Sequence, residues 1–262
     1  MLSGERKQEI ASIVGRALDK AERIWNEHGL SMDEATRADS AGIIKRERVP
    51  SRIPGHSTVE SGNEGVGAFI ALVADIRESS KHLRQAIGKP AKVSLLQRLF
   101  YETSALLPAL ECTIQYEGGA VTEYLGDGVL ALFAVDDDDE KSAIYAAYDA
   151  AENCLGDTLA IVNDALGKRY DLPPLRFGIG MALGKAVVSL MGLEDNSHAK
   201  AFGKCVWDAT NLADGENEIK VDEFLHCAWP TRRGGLLGFR KKKGRGDVEG
   251  YVVSRKPKEE AA

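Results

Sequence analysis

Apolar residues recur at spacings of three and four near the start of the chain. They include Ile10, Val14 and Leu18, and this spacing places them on one face of a helix. Gly29 follows the pattern, and glycine commonly ends helices. The pattern predicts an amphipathic helix within residues 1–30. Its apolar face would pack on its own domain or on a second copy of the chain.

Residues 31–64 are polar and contain prolines and glycines without a sustained period, which indicates a connector. The next pattern, from Gly67 to Ile76, is a continuous apolar run typical of a strand buried on both faces. This run is interrupted by an acid at Asp75. We therefore predict a carboxylate at the end of a central strand.

Two short apolar runs flank the sequence Gly126-Asp127-Gly128. An Asp-Gly pair between apolar runs is a strong hairpin signal, because Asp and Gly tolerate the positive φ that such turns need. A helix that opens at Pro90 and ends or kinks at Pro108 is predicted before this hairpin. The hairpin would hold the Asp127 carboxylate at a strand end.

The second half of the chain alternates between helical and strand patterns. Five acids at 136–140 precede a helical pattern that runs to about residue 166. Acids in this position complement a helix dipole, which competes with a metal-binding interpretation. The remaining patterns predict two strands over 175–182 and 185–191 joined at Leu183-Gly184, a helix over 206–213, a segment from 218 to 229, a basic loop, and a last strand near 250–253.

This order of elements favours an α+β fold of the ferredoxin-like type, in which helices pack on an antiparallel-rich sheet. The domain would span residues 65–255 and leave 256–262 as a disordered tail. In this topology the first strand lies beside the second strand of the hairpin, so Asp75 and Asp127 would meet at one sheet edge. Two carboxylates so placed suit hard divalent cations such as Mg²⁺.

The composition narrows the class of protein. Of the 262 residues, 44% are hydrophobic and 28% are charged, the balance of a folded soluble protein. The net charge of −6 argues against general affinity for nucleic acid. Four widely spaced cysteines form no metal-binding pair, and the chain shows neither a signal peptide nor a run of about 18 apolar residues. We expect a reduced, cytoplasmic protein with no nucleic-acid or membrane partner.

Four segments, in order along residues 65–255, resemble the catalytic domain of class III nucleotide cyclases. They are Leu72-Val73-Ala74-Asp75-Ile76, Tyr124-Leu125-Gly126-Asp127-Gly128-Val129-Leu130-Ala131-Leu132-Phe133, Arg176-Phe177-Gly178-Ile179-Gly180 with Gly184, and Phe202-Gly203-Lys204-Cys205-Val206. The resemblance implies the fold of that family. It also implies conversion of a nucleoside triphosphate into a cyclic nucleotide and pyrophosphate.

The resemblance also implies a set of site residues. The family's metal-binding aspartates correspond to Asp75 and Asp127, with the carbonyl of Ile76 as a further ligand, and the cofactors would be two Mg²⁺ or Mn²⁺ ions. One ion would lower the pKa of the ribose 3′-hydroxyl, and the other would hold the triphosphate for in-line attack on the α-phosphorus. A late basic run would bind the triphosphate through Lys243 or, as second choice, Arg245, unless it is a solvated loop. Class III sites form between two catalytic domains, so a homodimer is implied.

The chain departs from the family after the last segment. Most class III cyclases have Asn and Arg there to hold the ribose and the transition-state phosphate, but here Trp207 and Asn211 occupy these positions. A well-placed donor to developing negative charge commonly contributes about 2.7 to 4 kcal/mol. Asn211 is retained as a catalytic candidate, and Arg77, Arg176 and Lys204 are candidates for the missing positive charge.

The two positions that would read the base are also unusual. By the resemblance, adenylate cyclases have Lys and Asp there and guanylate cyclases Glu and Cys, whereas this chain has Glu123 and Lys200. A carboxylate and an ammonium can meet the donor and acceptor groups of a pyrimidine, and Trp207 would fill space that a purine needs. The combination resembles the pyrimidine cyclases of bacterial antiphage (Pycsar) systems. It favours UTP, converted to cyclic UMP as an infection signal, with cytidylate or adenylate cyclase as alternatives.

Two other functions fit the same residues. A cyclase-like domain could bind nucleotide without turning it over, which the residues Trp207 and Asn211 suggest. The domain could instead be a dimerisation module driven by the N-terminal helix. The presence of both Asp75 and Asp127 favours the enzyme, because a binding module needs no second metal ligand.

Overall fold

A computed structural model describes residues 1–28, 48–60, 65–79, 93–136, 138–193, 196–230 and 235–255. The helices are α1 (Gly4–His28), α2 (Leu95–Tyr116), α3 (Glu140–Asn153), α4 (Leu159–Tyr170), α5 (Lys204–Leu212) and α6 (Glu223–Ala228), and a π-helical turn, Cys154–Thr158, joins α3 to α4. The strands are β1 (Arg48–Pro50), β2 (Thr58–Glu60), β3 (Gly65–Ile76), β4 (Ala120–Tyr124), β5 (Gly128–Ala134), β6 (Phe177–Leu193), β7 (Asn196–Phe202), β8 (Ile219–Asp222), β9 (Leu237–Lys241) and β10 (Gly250–Arg255).

The main sheet has the order β4-β5-β3-β6-β8-β10-β9, and β7 pairs with the distal part of β6. Adjacent strands in this sheet pair antiparallel, except β6 and β8, which are parallel. The predicted α+β fold with an antiparallel-rich sheet is confirmed. As the topology required, β3 lies between β6 and the second hairpin strand, β5.

Apolar side chains of β3 alternate between two cores on opposite faces of the sheet. Ile70 and Leu72 belong to the larger core, which α1, α2, α3 and α4 cover. Phe69 and Ala71 belong to the smaller core, which α5 and the β1–β2 hairpin cover. Because both faces are covered, β3 reads as a continuous apolar run in the sequence.

The first helix is part of this domain's own core. Ile10, Val14 and Leu18 are fully buried in the larger cluster, and Arg169 of α4 pairs with Asp19 at 2.7 Å. The domain therefore covers the described part of the apolar face that the sequence predicts. These contacts do not favour a dimerisation module driven by α1.

We expect Leu18→Ala to destabilise the protein by about 2 to 5 kcal/mol, because it leaves a cavity in a fully buried site. The melting temperature should fall by several degrees, at about 2 to 4 °C per kcal/mol for a chain of this size. Thermal unfolding followed by circular dichroism measures this change. Gln8→Ala, on the exposed face of α1, is the matched control and should change little. A stable Leu18→Ala variant that loses its oligomeric state would contradict packing within one domain.

Helix α2 differs from the expectation at Pro108 and in where it begins. It begins at Leu95, because the Ser94 hydroxyl accepts a hydrogen bond from the Gln97 N–H while the Gln97 side chain accepts one from the Ser94 N–H, each at 3.3 Å. Pro90 lies outside the described residues. The helix continues through Pro108, since its buried face packs on the core on both sides of the proline.

The strands also extend the sequence interpretation. Two strands joined at Leu183-Gly184 were expected, but β6 runs through both residues because both pair with β3. Its hairpin partner is β7. Within the predicted connector, β1 pairs with β2 and buries Ile53 and Val59. Residues 29–47 and 61–64 and the predicted tail, 256–262, lie outside the described residues.

No helix in the described ranges combines the length and the apolar character needed to span a membrane. All four cysteines, Cys112, Cys154, Cys205 and Cys227, are free thiols. Their wide spacing in the sequence is consistent with this state.

Candidate functional site

The carboxylates of Asp75 and Asp127 lie at one end of the sheet, here called the carboxylate edge: Asp75 is near the end of β3, and Asp127 is in the turn just before β5. Asp75 stands opposite Gly128 in the β3–β5 register. The positive φ of the preceding turn falls on Gly126, at 82°, a backbone conformation that glycine adopts without strain. A Cβ on Gly128 would lie 2.3 Å from the carbonyl oxygen of Ala74, so glycine permits this close approach. The Gly-Asp-Gly sequence therefore fixes Asp127 beside the end of β3.

The electrostatics of this edge show that the two carboxylates interact. Burial raises the pKa of the Asp75 carboxyl most, the guanidinium of Arg77 lowers it, the Asp127 carboxylate raises it, and Arg245 lowers it. Two like charges in a half-buried position disfavour each other's ionisation. A cation between them would relieve this repulsion.

The donor set fits a hard divalent cation. Asp75 and Asp127 provide oxygen ligands at neighbouring strand ends, the chemistry that Mg²⁺ and Mn²⁺ prefer. Ile76 follows directly, with its side chain buried in the larger core, and its main-chain carbonyl stays a predicted ligand. The described residues contain no cluster of three or more His, Cys, Asp or Glu side chains with metal-site geometry.

Two arginines converge on the same carboxylate. Arg77 forms an ion pair with Asp75 Oδ2, and its Nε lies 3.4 Å from the Asp75 carbonyl. From the far end of the sheet, Arg245 Nη2 lies 3.4 Å from Asp75 Oδ2 and donates to the Thr210 carbonyl at 3.2 Å. Arg77 and Arg245 thus bring positive charge to the carboxylate edge, next to α5.

The other candidates for the missing positive charge are engaged elsewhere. Arg176 pairs with Glu216 at 2.5 Å, and Lys204 pairs with Asp208 within α5. Neither pair includes Asp75 or Asp127. Among the three candidates from the sequence, the structure brings only Arg77 into described contact with Asp75.

Lys243 and Arg245, the two residues predicted to bind triphosphate, make different contacts. The Lys243 ammonium faces acids of its own segment, at 3.3 Å from Asp247 and 3.6 Å from Glu249, and those contacts raise its pKa. Arg245 instead reaches Asp75. The structure therefore places Arg245, the second choice from sequence, at the carboxylate edge.

Helix α5 carries the two positions that depart from the family pattern. A Cβ on Gly180 would lie 2.0 Å from the Ala209 carbonyl, so this glycine lets α5 lie directly on β6. Trp207 projects from the helix and is 67% exposed. One turn later, Asn211 Nδ2 donates to the Trp207 carbonyl at 3.0 Å. Trp207 is thus exposed, whereas Asn211 is half-buried and directly follows Thr210, whose carbonyl accepts from Arg245.

Glu123 and Lys200, far apart in sequence, form an ion pair. Lys200 Nζ donates to Glu123 Oε2 at 2.7 Å, with 40% and 20% of the two side chains exposed. A β-bulge between Val121 and Glu123 shifts the register of β4, and bulges commonly re-aim a side chain. The two predicted base-reading residues thus lie together within one protomer.

Sequence reasoning missed two parts of this arrangement. The bulge between Val121 and Glu123 carries no glycine or proline that would mark it in the sequence. The Thr210 carbonyl that binds Arg245 is a main-chain group, so its residue type carries no information.

Comparison with known proteins supports the fold assignment. No family model matches this chain, and no curated protein sequence matches it. Among solved structures, the guanylyl cyclase Cya2 is 21% identical, with a TM-score of 0.58 and coverage of 74% of this chain and 92% of that chain. The adenylyl cyclase CyaB from P. aeruginosa is 16% identical, with a TM-score of 0.58 and coverage of 75% and 98%.

A third similar structure is a class III adenylyl cyclase-like ATP-binding protein from Pseudomonas aeruginosa. It is 18% identical, with a TM-score of 0.58 and coverage of 71% of this chain and 40% of that chain. At these identities the comparisons establish the fold, which is that of class III cyclase catalytic domains.

Proposed function

We propose that this protein is a metal-dependent nucleotide cyclase that acts on a nucleoside triphosphate. One observation carries the proposal: a single class III cyclase fold holds both a paired carboxylate site, Asp75 with Asp127, and a paired polar site, Glu123 with Lys200. The first suits cations and phosphate, and the second suits a nucleobase. A domain that only bound a partner would need neither pair.

The chain's own residues divide the work of the reaction. Asp75, Asp127 and the Ile76 carbonyl would hold the cations, which when bound supply the charge that activates the ribose 3′-hydroxyl and neutralises the triphosphate. Arg77 and Arg245 lie beside this edge, so their guanidinium groups are placed to bind phosphate oxygens. Arg77 and Arg245 would then supply the positive charge that Asn211, in the position of the family's Arg, lacks.

The Glu123–Lys200 pair favours a pyrimidine substrate. Uracil N3–H would donate to Glu123, and uracil O4 would accept from Lys200; cytosine N4–H₂ and N3 could make the same two bonds. We favour UTP and its product cyclic UMP, with CTP as the alternative. By resemblance to the Pycsar cyclases, the product would serve as a cytoplasmic second messenger in antiphage defence.

We further propose that the protein is a homodimer with sites at its interface. Val66 pairs with Val187 and Val187 with Phe202 across neighbouring strands, which puts the three side chains on one face of the sheet. They are 65%, 42% and 45% exposed. A continuous exposed apolar row of this kind is suited to a second copy of the chain.

Incubation of the protein with each of the four ribonucleoside triphosphates and Mn²⁺, followed by separation of the products, tests the function. We expect cyclic UMP and pyrophosphate in equal amounts, at least about 10-fold above any other cyclic nucleotide, because the paired polar site selects the base. Cyclic AMP as the dominant product would overturn the pyrimidine assignment and retain the cyclase.

A second candidate is a nucleotide-binding cyclase homologue without turnover. Trp207 and Asn211 stand where the family has its ribose- and phosphate-holding residues, and a similar solved structure is described as a cyclase-like ATP-binding protein. This candidate predicts thermal stabilisation by a nucleoside triphosphate with no release of pyrophosphate. The same incubations therefore separate it from the enzyme.

A further inference from the structure

A cavity of about 350 Å³ lies between α5, the start of α6 and the β9–β10 segment. Its lining combines acids with two aromatic rings: Lys204, Trp207, Asp208, Asp222, Glu223, Phe224, Val248 and Glu249. Trp207 is one of the residues proposed for the nucleotide site, whereas the α6 side of the cavity takes no part in the proposed reaction. The chemistry of this side indicates what the cavity could bind.

Asp222 provides a buried carboxylate oxygen that the fold does not use. Its Oδ1 accepts from the Leu225 N–H at 2.9 Å and the Leu183 N–H at 3.2 Å, which caps α6. Its Oδ2 is buried without a hydrogen-bond partner in the described part of the chain, and the residue is 2% exposed. Asp222 lines the cavity, and since Oδ1 faces the two backbone donors, Oδ2 is its oxygen without a partner among the described residues.

An unpaired buried oxygen of this kind is costly unless a donor reaches it. Burial raises the pKa of Asp222 to about 6, so the carboxylate is mostly ionised at neutral pH. Its negative charge then calls for a cationic donor rather than a neutral one.

The rest of the cavity already accommodates an ammonium group. Lys204 Nζ pairs with the buried Asp208 and lies 5.8 Å from the centre of the Phe224 ring, a distance at which a cation is attracted to an aromatic face. Phe224 and Trp207 are 62% and 67% exposed. Their rings could cover the hydrocarbon chain or the charge of a second amine.

Charge on the lining residues favours a cation over an anion. Four lining residues are acids and one is a lysine. Lys204 is matched by Asp208, and Glu249 is paired with Lys241 at 2.7 Å. Asp222 and Glu223 then leave the cavity net negative.

We propose that this cavity binds an aliphatic amine, with its ammonium group paired with the negative charge of Asp222 and its chain against Phe224 and Trp207. The cavity shares Trp207 with the proposed nucleotide site, but its acids take no part in the proposed cyclase reaction. A bound amine would lie against α5, the helix that carries Asn211.

Isothermal titration calorimetry with spermidine, on the full chain without nucleotide or divalent metal and at fixed ionic strength, tests the proposal. We expect saturable binding of one amine per chain. Asp222→Asn should weaken binding about 10-fold, because it removes the charge but keeps an oxygen that caps α6. Phe224→Leu should weaken binding about 3-fold through loss of the ring. This variant leaves Asp222 and its cap of α6 unchanged, so it is a second, independent test. Asp164→Asn, at an exposed acid on α4, should leave binding unchanged.

Two results would overturn the proposal. If a sodium chloride titration at matched ionic strength releases the same heat as the spermidine titration, the heat reports ionic strength alone. No amine site would then exist. Saturable binding that survives Asp222→Asn and Phe224→Leu but is lost in Asp127→Asn would place the amine at the carboxylate edge instead.

Discussion

Asp127→Asn is expected to lower kcat/KM for nucleotide cyclisation at least about 10³-fold, which corresponds to about 4 kcal/mol of transition-state stabilisation. The substitution keeps the size of the side chain and the flanking glycines, so the turn at Gly126 should form as before. It removes one of the two charged oxygen ligands proposed for the cations. Release of pyrophosphate, measured with each triphosphate, reports the loss.

Stability provides an independent readout of the same substitution. The Asp127 carboxylate is one of the groups that raise the pKa of Asp75, so its removal relieves a like-charge repulsion. The melting temperature without metal should therefore stay at or above that of the parent protein. Loss of activity with intact folding then identifies a chemical role.

Asp138→Asn is the matched control for this experiment. Asp138 is exposed and belongs to the acidic run that follows β5, where a metal-binding interpretation competes with helix-dipole compensation. We expect full activity from this variant. Full activity in Asp127→Asn, or an equal loss in Asp138→Asn, would contradict the assignment of the metal site to Asp75 and Asp127.

The carboxylate edge was accessible from sequence because its determinants are local. A continuous apolar run ending near Asp75 and a Gly-Asp-Gly turn each specify a strand end, and one topological rule then places the two ends together. The β3–β5 register agrees, with Asp75 opposite Gly128. Patterns of this kind can be read from a single sequence because each depends only on residues that are neighbours along the chain.

Other features depend on distant groups and leave no such pattern. Helix α2 passes through Pro108 because its buried face packs on the core on both sides of the proline, which local propensity does not show. The position of Arg245, and not Lys243, beside Asp75 follows from where the loop before β10 meets Asp75 and the Thr210 carbonyl. The unpartnered oxygen of Asp222 follows from packing around a helix cap.

The Glu123–Lys200 pair combines both kinds of information. The two residue types were readable from sequence as candidate base readers, but their contact depends on a bulge in β4 and on the β6–β7 hairpin. Because the side chains are bonded at 2.7 Å in one protomer, each neutralises the other before substrate binds. Base selection should therefore depend on the pair as a unit, and single substitutions should leave an unmatched charge.

Exchanging the Glu123–Lys200 pair is expected to change the base that the proposed cyclase accepts. Glu123→Lys combined with Lys200→Asp restores opposite charges and installs the residue types that the family resemblance assigns to adenine. We expect the ratio of kcat/KM for UTP to that for ATP to fall at least about 10²-fold in the double variant, since a polar site built for one base leaves groups unpaired with another. Each single variant, with two like charges, should lose activity on both substrates.

The exposed Arg48–Glu60 pair of the β1–β2 hairpin provides a matched control. Its exchange, Arg48→Glu with Glu60→Arg, should leave the selectivity unchanged, because this pair lies outside the proposed site and exposed pairs contribute little to stability. An unaltered UTP-to-ATP ratio in an active Glu123–Lys200 double variant would mean that the base is read elsewhere. In that case Trp207, which projects from α5, would become the first residue to test, because loss of its ring would then be the change that admits a purine.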